Sequence, residues 1–393
     1  MKKAISLILC AALFVSALSG CGGLGEEVDL GLENTASPEP SPESTEAPSS
    51  TPGSGDEESA DRDWQALWHS HDMDEVVLTV DGSDVLWDEY FYWIYSNVSD
   101  FEAMYGQVDY GAELAEGMTY GDYIMSVVDQ YAEQYHALLK GAEELGVSLT
   151  DEDWDYLDEQ VELYIETYCG EGTTDEEFEE LLSESCLTRR MFDFMNETSM
   201  LHQRLWIDVY GANGELYPAE SALSWGDEQG YTTVKHILIL TQDEEGNALD
   251  EAAKAEKLAQ AEELLSQLEP LSGSEEIETE FDALMNENSE DPGLASYPGG
   301  YCYVPGTMYA EFEDAAAALG DYEVSGIVES TSGYHIILRL PLSVDDVLFD
   351  YGYGLGYVAA QLDFNDLISG WVEEAETVPT ELYTDFDLAA FLG

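Results

Sequence analysis

DPGLASYPGGYCYVPGTMYAEFEDAAAALGDYEVSGIVESTSGYHIILRL, residues 291–340, decides the fold of this chain when it is read together with VKHILIL at residues 234–240. Both VKHILIL and the final YHIILRL read as strands, and each sets one histidine among aliphatic neighbours. His236 is followed by Ile-Leu-Ile and His335 by Ile-Ile-Leu. Two histidines are thereby committed to one sheet. Between them, Met308 and Phe312 stand four apart at the start of an apparent helix, a spacing that lets their side chains share a face. Periodicity alone makes these residues core; a second reading makes them the floor of a small apolar pocket.

Order and spacing favour the second reading. V-K-H-I-L-I is followed by F-x-x-L-M-x-x-x-S-x-D at 281–291, then G-x-M-x-x-x-F-E-D-A at 306–315, then E-V-S-G-I-V and S-G-Y-H-I-I. This series resembles the parvulin family of peptidyl-prolyl isomerases across residues 233–342. The wider arrangement looks like the PrsA-type foldase lipoproteins.

The resemblance implies an α+β chain: a mostly helical N-terminal domain of the SurA/PrsA chaperone kind, plus a parvulin domain in which helices pack a small antiparallel sheet. It implies cis–trans isomerisation of X-Pro bonds in unfolded or newly exported polypeptides, with no cofactor and no metal. On the matching positions, Met308 and Phe312 clasp the prolyl ring and Tyr303 supplies an aromatic wall. His236 and His335 are the paired central histidines, Ser332 borders the pocket, and Asp291 stands where the family has Cys or Asp facing the substrate carbonyl. Rotation about an amide breaks no bond, so Asp291 is expected to tune its surroundings rather than act as a nucleophile. Glu287 and Glu290 read as solvated surface. One departure is that YPGGYCY at 297–303 replaces the family's longer G-G-D-L-G-W-F, leaving Gly300 or Tyr301 nearest to the expected pocket leucine. A non-catalytic holdase lipoprotein with a degenerate parvulin domain is therefore the alternative reading.

MKKAISLILCAALFVSALSGC at the start has two lysines and an apolar run too short for an ordinary spanning helix, the pattern of a secretory signal. Leu18-Ser19-Gly20-Cys21 resembles a bacterial lipobox. Lipidation of Cys21 would anchor the mature chain on the extracytoplasmic face of the cell membrane, since two acyl chains hold stably where one does not. Residues 22–62 are rich in Gly, Ser, Glu and Pro and read as an extended, disordered acidic tether.

The formal charge is -74, from 85 acidic against 11 basic residues. A polyanion such as nucleic acid would be repelled. With 45% hydrophobic residues a full core remains affordable, so the acidity belongs to the surface and the tether. Of five cysteines, Cys10 falls in the signal and Cys21 is the anchor. Cys169, Cys186 and Cys302 make no disulfide framework, and a Cys169–Cys186 bridge is not expected. No Cys/His grouping has metal-ligand spacing.

Residues 63–220 read as a helical domain with one small strand in VVLTVDGSDV. An aromatic helix lies around Tyr90, Trp93 and Ile94, and another spans 121–145. Thr150 caps a helix expected to bury Trp154, Leu157, Val161 and Ile165, and Thr174 with Glu177 forms a capping box. A longer helix covers 187–210. His69, His71, His136 and His202 have no matching carboxylate or nucleophile spacing and stay unassigned, and homodimerisation of this domain is left open. Strands are expected at 324–328 and 334–340, and the helical tail at 343–393 is expected to return to the N-terminal domain. The repeated βα units of a two-lobed solute-binding lipoprotein are absent.

Overall fold

The computed structural model describes residues 62–243 and 245–393. The signal, the lipobox with Cys21, and all but the last residue of the tether lie outside the described residues. The described residues divide into two compact units, 62–205 with 366–393, and 206–365.

In the first unit a short helix α1 (Trp64–Trp68) leads into a hairpin of β1 (Val76–Val80) and β2 (Ser83–Leu86). Its two-residue turn, Asp81-Gly82, has positive φ at both positions, as the twist of a tight hairpin requires. Helix α2 (Trp87–Tyr105) buries Trp87, Tyr90, Phe91, Trp93 and Ile94. A small hairpin, β3 (Glu113–Ala115) and β4 (Met118–Thr119), precedes α3 (Tyr120–Leu145). Thr119, Thr150 and Thr174 each open a helix with a reciprocal capping box: α3, then α4 (Asp151–Tyr164), then α5 (Asp175–Ser183). Each cap satisfies amide groups the first turn leaves without partners, an effect of about 1 kcal/mol. Of the face expected to be buried on α4, only Leu157 is; Trp154 is exposed, because a single acidic helix presents one narrow apolar edge. Helix α6 (Arg189–Tyr210) follows.

The second unit opens with α7 (Ala219–Gln229) and then β5 (Thr232–Leu240). Helices α8 (Glu251–Leu268) and α9 (Glu276–Asn288) come next, followed by β6 (Tyr301–Tyr303), α10 (Ala310–Ala317), β7 (Val328–Glu329) and β8 (Gly333–Leu340). The sheet is antiparallel in the order β6-β5-β8-β7. The two-residue period divides its side chains. Ile237, Ile239, Ile336 and Leu338 pack with Ala261, Leu264, Leu268, Phe281 and Met285 from α8 and α9. Val234, Tyr301, Tyr303 and Ile337 face Phe312 and Ala316 of α10. The expected strand at 324–328 is reduced to β7, with Val324 making one isolated bridge to Leu338, since Gly326 interrupts it. Met308 lies before α10 rather than on it. Glu313 accepts hydrogen bonds from the amides of Gly306 and Met308, which folds that stretch into a turn ahead of the helix.

Helix α11 (Leu355–Glu374) runs into the closing segment, which belongs to the first unit from residue 366 onward. There Trp371 packs on Gly141 of α3 so closely that a Cβ at Gly141 would fall 2.3 Å from the indole. Strand β9 (Thr377–Pro379) pairs antiparallel with β1, so the one strand expected in this unit is a three-stranded sheet, β2-β1-β9. After α12 (Glu381–Asp385), Phe386 and Phe391, the latter on α13 (Leu388–Leu392), set their rings against Trp87. Among the described residues, no helix is long and apolar enough to cross a membrane.

Candidate active site

The register of β5 on β8 pairs His236 with Ile337 and Leu238 with His335, which puts both histidines diagonally on the face that meets α10. Their Nδ1 atoms lie 3.2 Å apart. His236 Nε2 is 3.1 Å from Asp291 Oδ2, and His335 Nε2 is 2.7 Å from Ser330 Oγ. A continuous relay therefore runs Ser330, His335, His236, Asp291. Phe312 closes it from above, its ring edge-on to both imidazoles at 5.2 and 5.4 Å. Tyr303 lies 6.3 Å from Phe312 by ring centroids, and Met308 packs, partly buried, on the same cluster.

The relay's charge state follows from its surroundings. Burial works to raise the Asp291 pKa, but hydrogen bonds from His236, Tyr301 and the Gly293 amide together override it and hold the carboxyl at about 2. Burial, with the neighbouring His236, pushes His335 down to about 4 against the pull of Asp291. At neutral pH an ionised Asp291 can only accept, so His236 presents Nε2–H to it. With His236 neutral, its Nδ1 accepts from His335 Nδ1–H, and His335 Nε2 accepts from the Ser330 hydroxyl. A proton added to His236 reverses every bond upstream, so His335 then donates to Ser330. The relay is thus a two-state proton arrangement closed under an apolar lid.

Of the residues singled out in the sequence, the structure brings His236, His335, Asp291, Phe312, Met308 and Tyr303 together in one cluster. Ser332 does not bond to either histidine: it sits in the β7–β8 turn, its hydroxyl 3.2 Å from that of Tyr309, and the hydroxyl beside His335 is that of Ser330. Tight-turn register could have shown this, because Val328 pairs with His335 and Ser330 shares the face of Val328. Tyr301 was also missed as a partner; its hydroxyl donates to Asp291 Oδ2 at 2.8 Å. The alternation Tyr301, Cys302, Tyr303 carried that signal. Cys169, Cys186 and Cys302 are free thiols. Among the described residues, no group of three His, Cys, Asp or Glu side chains could hold a metal ion. A cavity of about 200 Å³ lined by Asp227, Tyr231, Asp321 and Arg339 contains none of these site residues.

Residues 236–340 match the model of the Rotamase family, the PPIC-type PPIase domain. The match opens on His236 and closes on the last residue of β8, so this part of the chain is a parvulin-class rotamase domain. Foldase protein PrsA of Geobacillus kaustophilus is 48% identical to this chain over 59 residues, which is 15% of this chain and 21% of that relative. The matched stretch thus spans about a fifth of the curated relative's length. Among solved structures, PrsA from Bacillus subtilis is similar at 20% identity, covering 80% of this chain and 94% of that one with a TM-score of 0.24. PrsA from Lactococcus lactis matches at 14% identity over 81% and 100% of the two chains, with a TM-score of 0.29. The peptidyl-prolyl isomerase ESS1 from Candida albicans matches at 23% identity over 33% and 78%, with a TM-score of 0.23.

Proposed function

We propose that this protein is a membrane-anchored extracytoplasmic foldase that catalyses cis–trans isomerisation of X-Pro bonds in exported polypeptides. The observation that carries the reading is the match of residues 236–340 to the rotamase domain, whose two histidines and Asp291 form one relay beneath Phe312. Rotation about an X-Pro bond faces a barrier of about 18–20 kcal/mol because the amide loses its resonance in the twisted state. Only an environment that favours the twisted amide over both planar forms accelerates it. In this reading Met308, Phe312 and Tyr303 hold the prolyl ring and strip water from the carbonyl. The relay fixes the polar side of the pocket, with Asp291 setting the proton positions and Ser332 bordering the substrate. The step is non-covalent and calls for no cofactor.

The organisation proposed around that site is a lipid on Cys21, a tether at 22–62, a client-holding helical domain at 63–220, and the rotamase domain at 233–342. An isomerisation assay on residues 63–393 with an X-Pro peptide tests the catalytic claim. Acceleration well above buffer is expected. No acceleration, with client aggregation still suppressed, would leave the non-catalytic holdase. Fractionating cells that carry Cys21→Ala tests the anchor: the variant is expected to leave the membrane fraction, and equal retention would remove the lipid from the account.

A further inference from the structure

Asp291 sits on the loop between α9 and β6, and its own turn supplies one donor, the Gly293 amide at 3.0 Å from Oδ1. The other oxygen, Oδ2, receives both His236 Nε2 and the Tyr301 hydroxyl. Without the hydroxyl, the carboxylate would be tied to the sheet through the imidazole alone. The backbone around Tyr301 is shaped to bring that hydroxyl in. A Cβ at Gly293 would fall 2.0 Å from Tyr301 Oη, so the phenol occupies space that only glycine leaves open. Gly300, with φ +101°, lies so close to β5 that a Cβ would be 2.3 Å from the Val234 carbonyl oxygen. Two glycines on either side of the loop therefore accommodate one side chain.

The far side of Tyr301 is held from within the matched domain and from beyond it. Tyr297 lies tilted against it at 5.0 Å and Phe349, beyond the match, approaches at 6.1 Å, while Tyr297 and Phe349 themselves lie 5.3 Å apart. Phe349 is fixed there by its backbone. Its amide donates to the Cys302 carbonyl at 2.8 Å, and the fully buried Leu348 beside it bridges Cys302 in parallel. Asp350 accepts from the Tyr231 hydroxyl at 2.7 Å and closes the attachment. The ring contacts run without a break from Phe312 through His236 and Tyr301 to Phe349.

We propose that Tyr301 is a positioning residue of the rotamase site: its hydroxyl holds the Asp291 carboxylate on His236, and the segment 344–354, beyond the matched domain, holds Tyr301 in place. Its catalytic consequence rests on the isomerase reading above. A carboxylate that swings away leaves His236 Nε2 without its acceptor, and the single tautomer ordered along the relay gives way to a mixture.

The test uses the soluble chain from residue 63 with Tyr301→Phe, Gly293→Ala, Phe349→Ala and Phe349→Tyr. Two quantities are read at pH 7: kcat and KM on an X-Pro peptide, and the imidazole nitrogen chemical shifts of His236 and His335. The Tyr301→Phe variant keeps the ring and loses one charge-assisted hydrogen bond, so kcat is expected to fall about tenfold with KM unchanged. The His236 nitrogens should move from a single tautomer toward averaged shifts. The Gly293→Ala change should behave alike by displacing the hydroxyl. The Phe349→Ala change should move both readouts the same way to a smaller extent, and Phe349→Tyr should restore them. Nitrogen shifts in Tyr301→Phe identical to the parent's overturn the proposal, as does a rate loss confined to KM or a tautomer change with unaltered kcat. If the parent itself shows no isomerisation, the isomerase reading fails, and the nitrogen shifts alone decide whether Tyr301 orders the relay.

Discussion

Each unit of this protein buries a histidine against a carboxylate at the same distance, and the two pairs sit in different surroundings. In the first unit His136 Nε2 lies 3.1 Å from Glu89 Oε1, with both side chains almost wholly enclosed. Arg190 closes the pair, 3.9 Å from Glu89 Oε2 and paired through two nitrogens with Asp88, which also accepts from Thr188. Two carboxylates of α2, an imidazole of α3 and a guanidinium of α6 meet one another there. In the second unit His236 and Asp291 are joined to a further histidine, a serine hydroxyl and a phenol, and the free side of the imidazoles meets Phe312 rather than a counter-charge. A buried His–carboxylate contact is therefore no sign of chemistry by itself. The difference lies in whether a cation terminates it or a proton relay continues it beside an apolar slot.

The sharpest way to break this contrast is Glu89→Ala. Removing Glu89 leaves the buried His136 imidazole without its carboxylate and opens a cavity, while Arg190 keeps Asp88. The change is expected to cost the first unit about 3 kcal/mol. Urea unfolding of the soluble chain should show it, while the isomerisation rate of the folded protein stays at the parent value. A slower rate at unchanged stability would mean the Glu89 pair takes part in the chemistry.

Acid separates the units next. His335 in the second unit and His202 in the first are both pushed down to about 4 by burial. A histidine depressed in the fold contributes stability that is whole above its unfolded value near 6.5 and is lost as pH falls through about 4. For His335 the span amounts to about 3 kcal/mol. Asp291 acts in a lower window, between its ordinary 3.8 and about 2. Unfolding of both units should therefore become easier from pH 6.5 to 4, and His335→Leu should flatten that dependence in the second unit only. A slope unchanged by the substitution would assign the acid sensitivity elsewhere.

The proposed division of labour yields the next effect. The His236→Ala change removes the centre of the relay and is expected to slow isomerisation about a hundredfold, roughly 2.7 kcal/mol. The Met308→Ala change, which opens one side of the prolyl slot, should cost about tenfold in kcat/KM, mostly through KM. Both variants should suppress client aggregation as the parent does. Loss of both activities together would merge the two units into one function.

How far these features could be read without coordinates depended on the range of the interaction. The β5–β8 pair and the faces of its histidines follow from a two-residue period within nine residues, and the Thr174–Glu177 capping box follows from a four-residue motif. The position of Met308 did not, because a backward tie from Glu313 sets the helix start and spacing alone cannot show it. The contact of Ser330 with His335 depends on the course of the β7–β8 turn, which spacing from His335 does not give. Strand β9 is three residues long, pairs with a strand some 300 positions away, and has no local signature that could announce it.

The smallest expected effect tests the substrate side of the comparison. The loop after β5 reads TQDEEGNALDE, and its ordered carboxylates do structural work: Asp243 accepts from the Asn247 amide at 2.8 Å, and Asp250 caps α8. Lys254 and Lys257 on α8 are already engaged by Glu251 and Glu290. A phosphate on the residue before proline needs a cluster of unspent basic side chains at such a site, and would here meet like charge instead. Matched Ser-Pro and phosphoserine-Pro peptides should therefore turn over at similar rates, with the phosphorylated member slower by about twofold and the gap closing in high salt as the repulsion is screened. A faster phosphorylated peptide would require a basic surface on the second unit that its sequence does not supply.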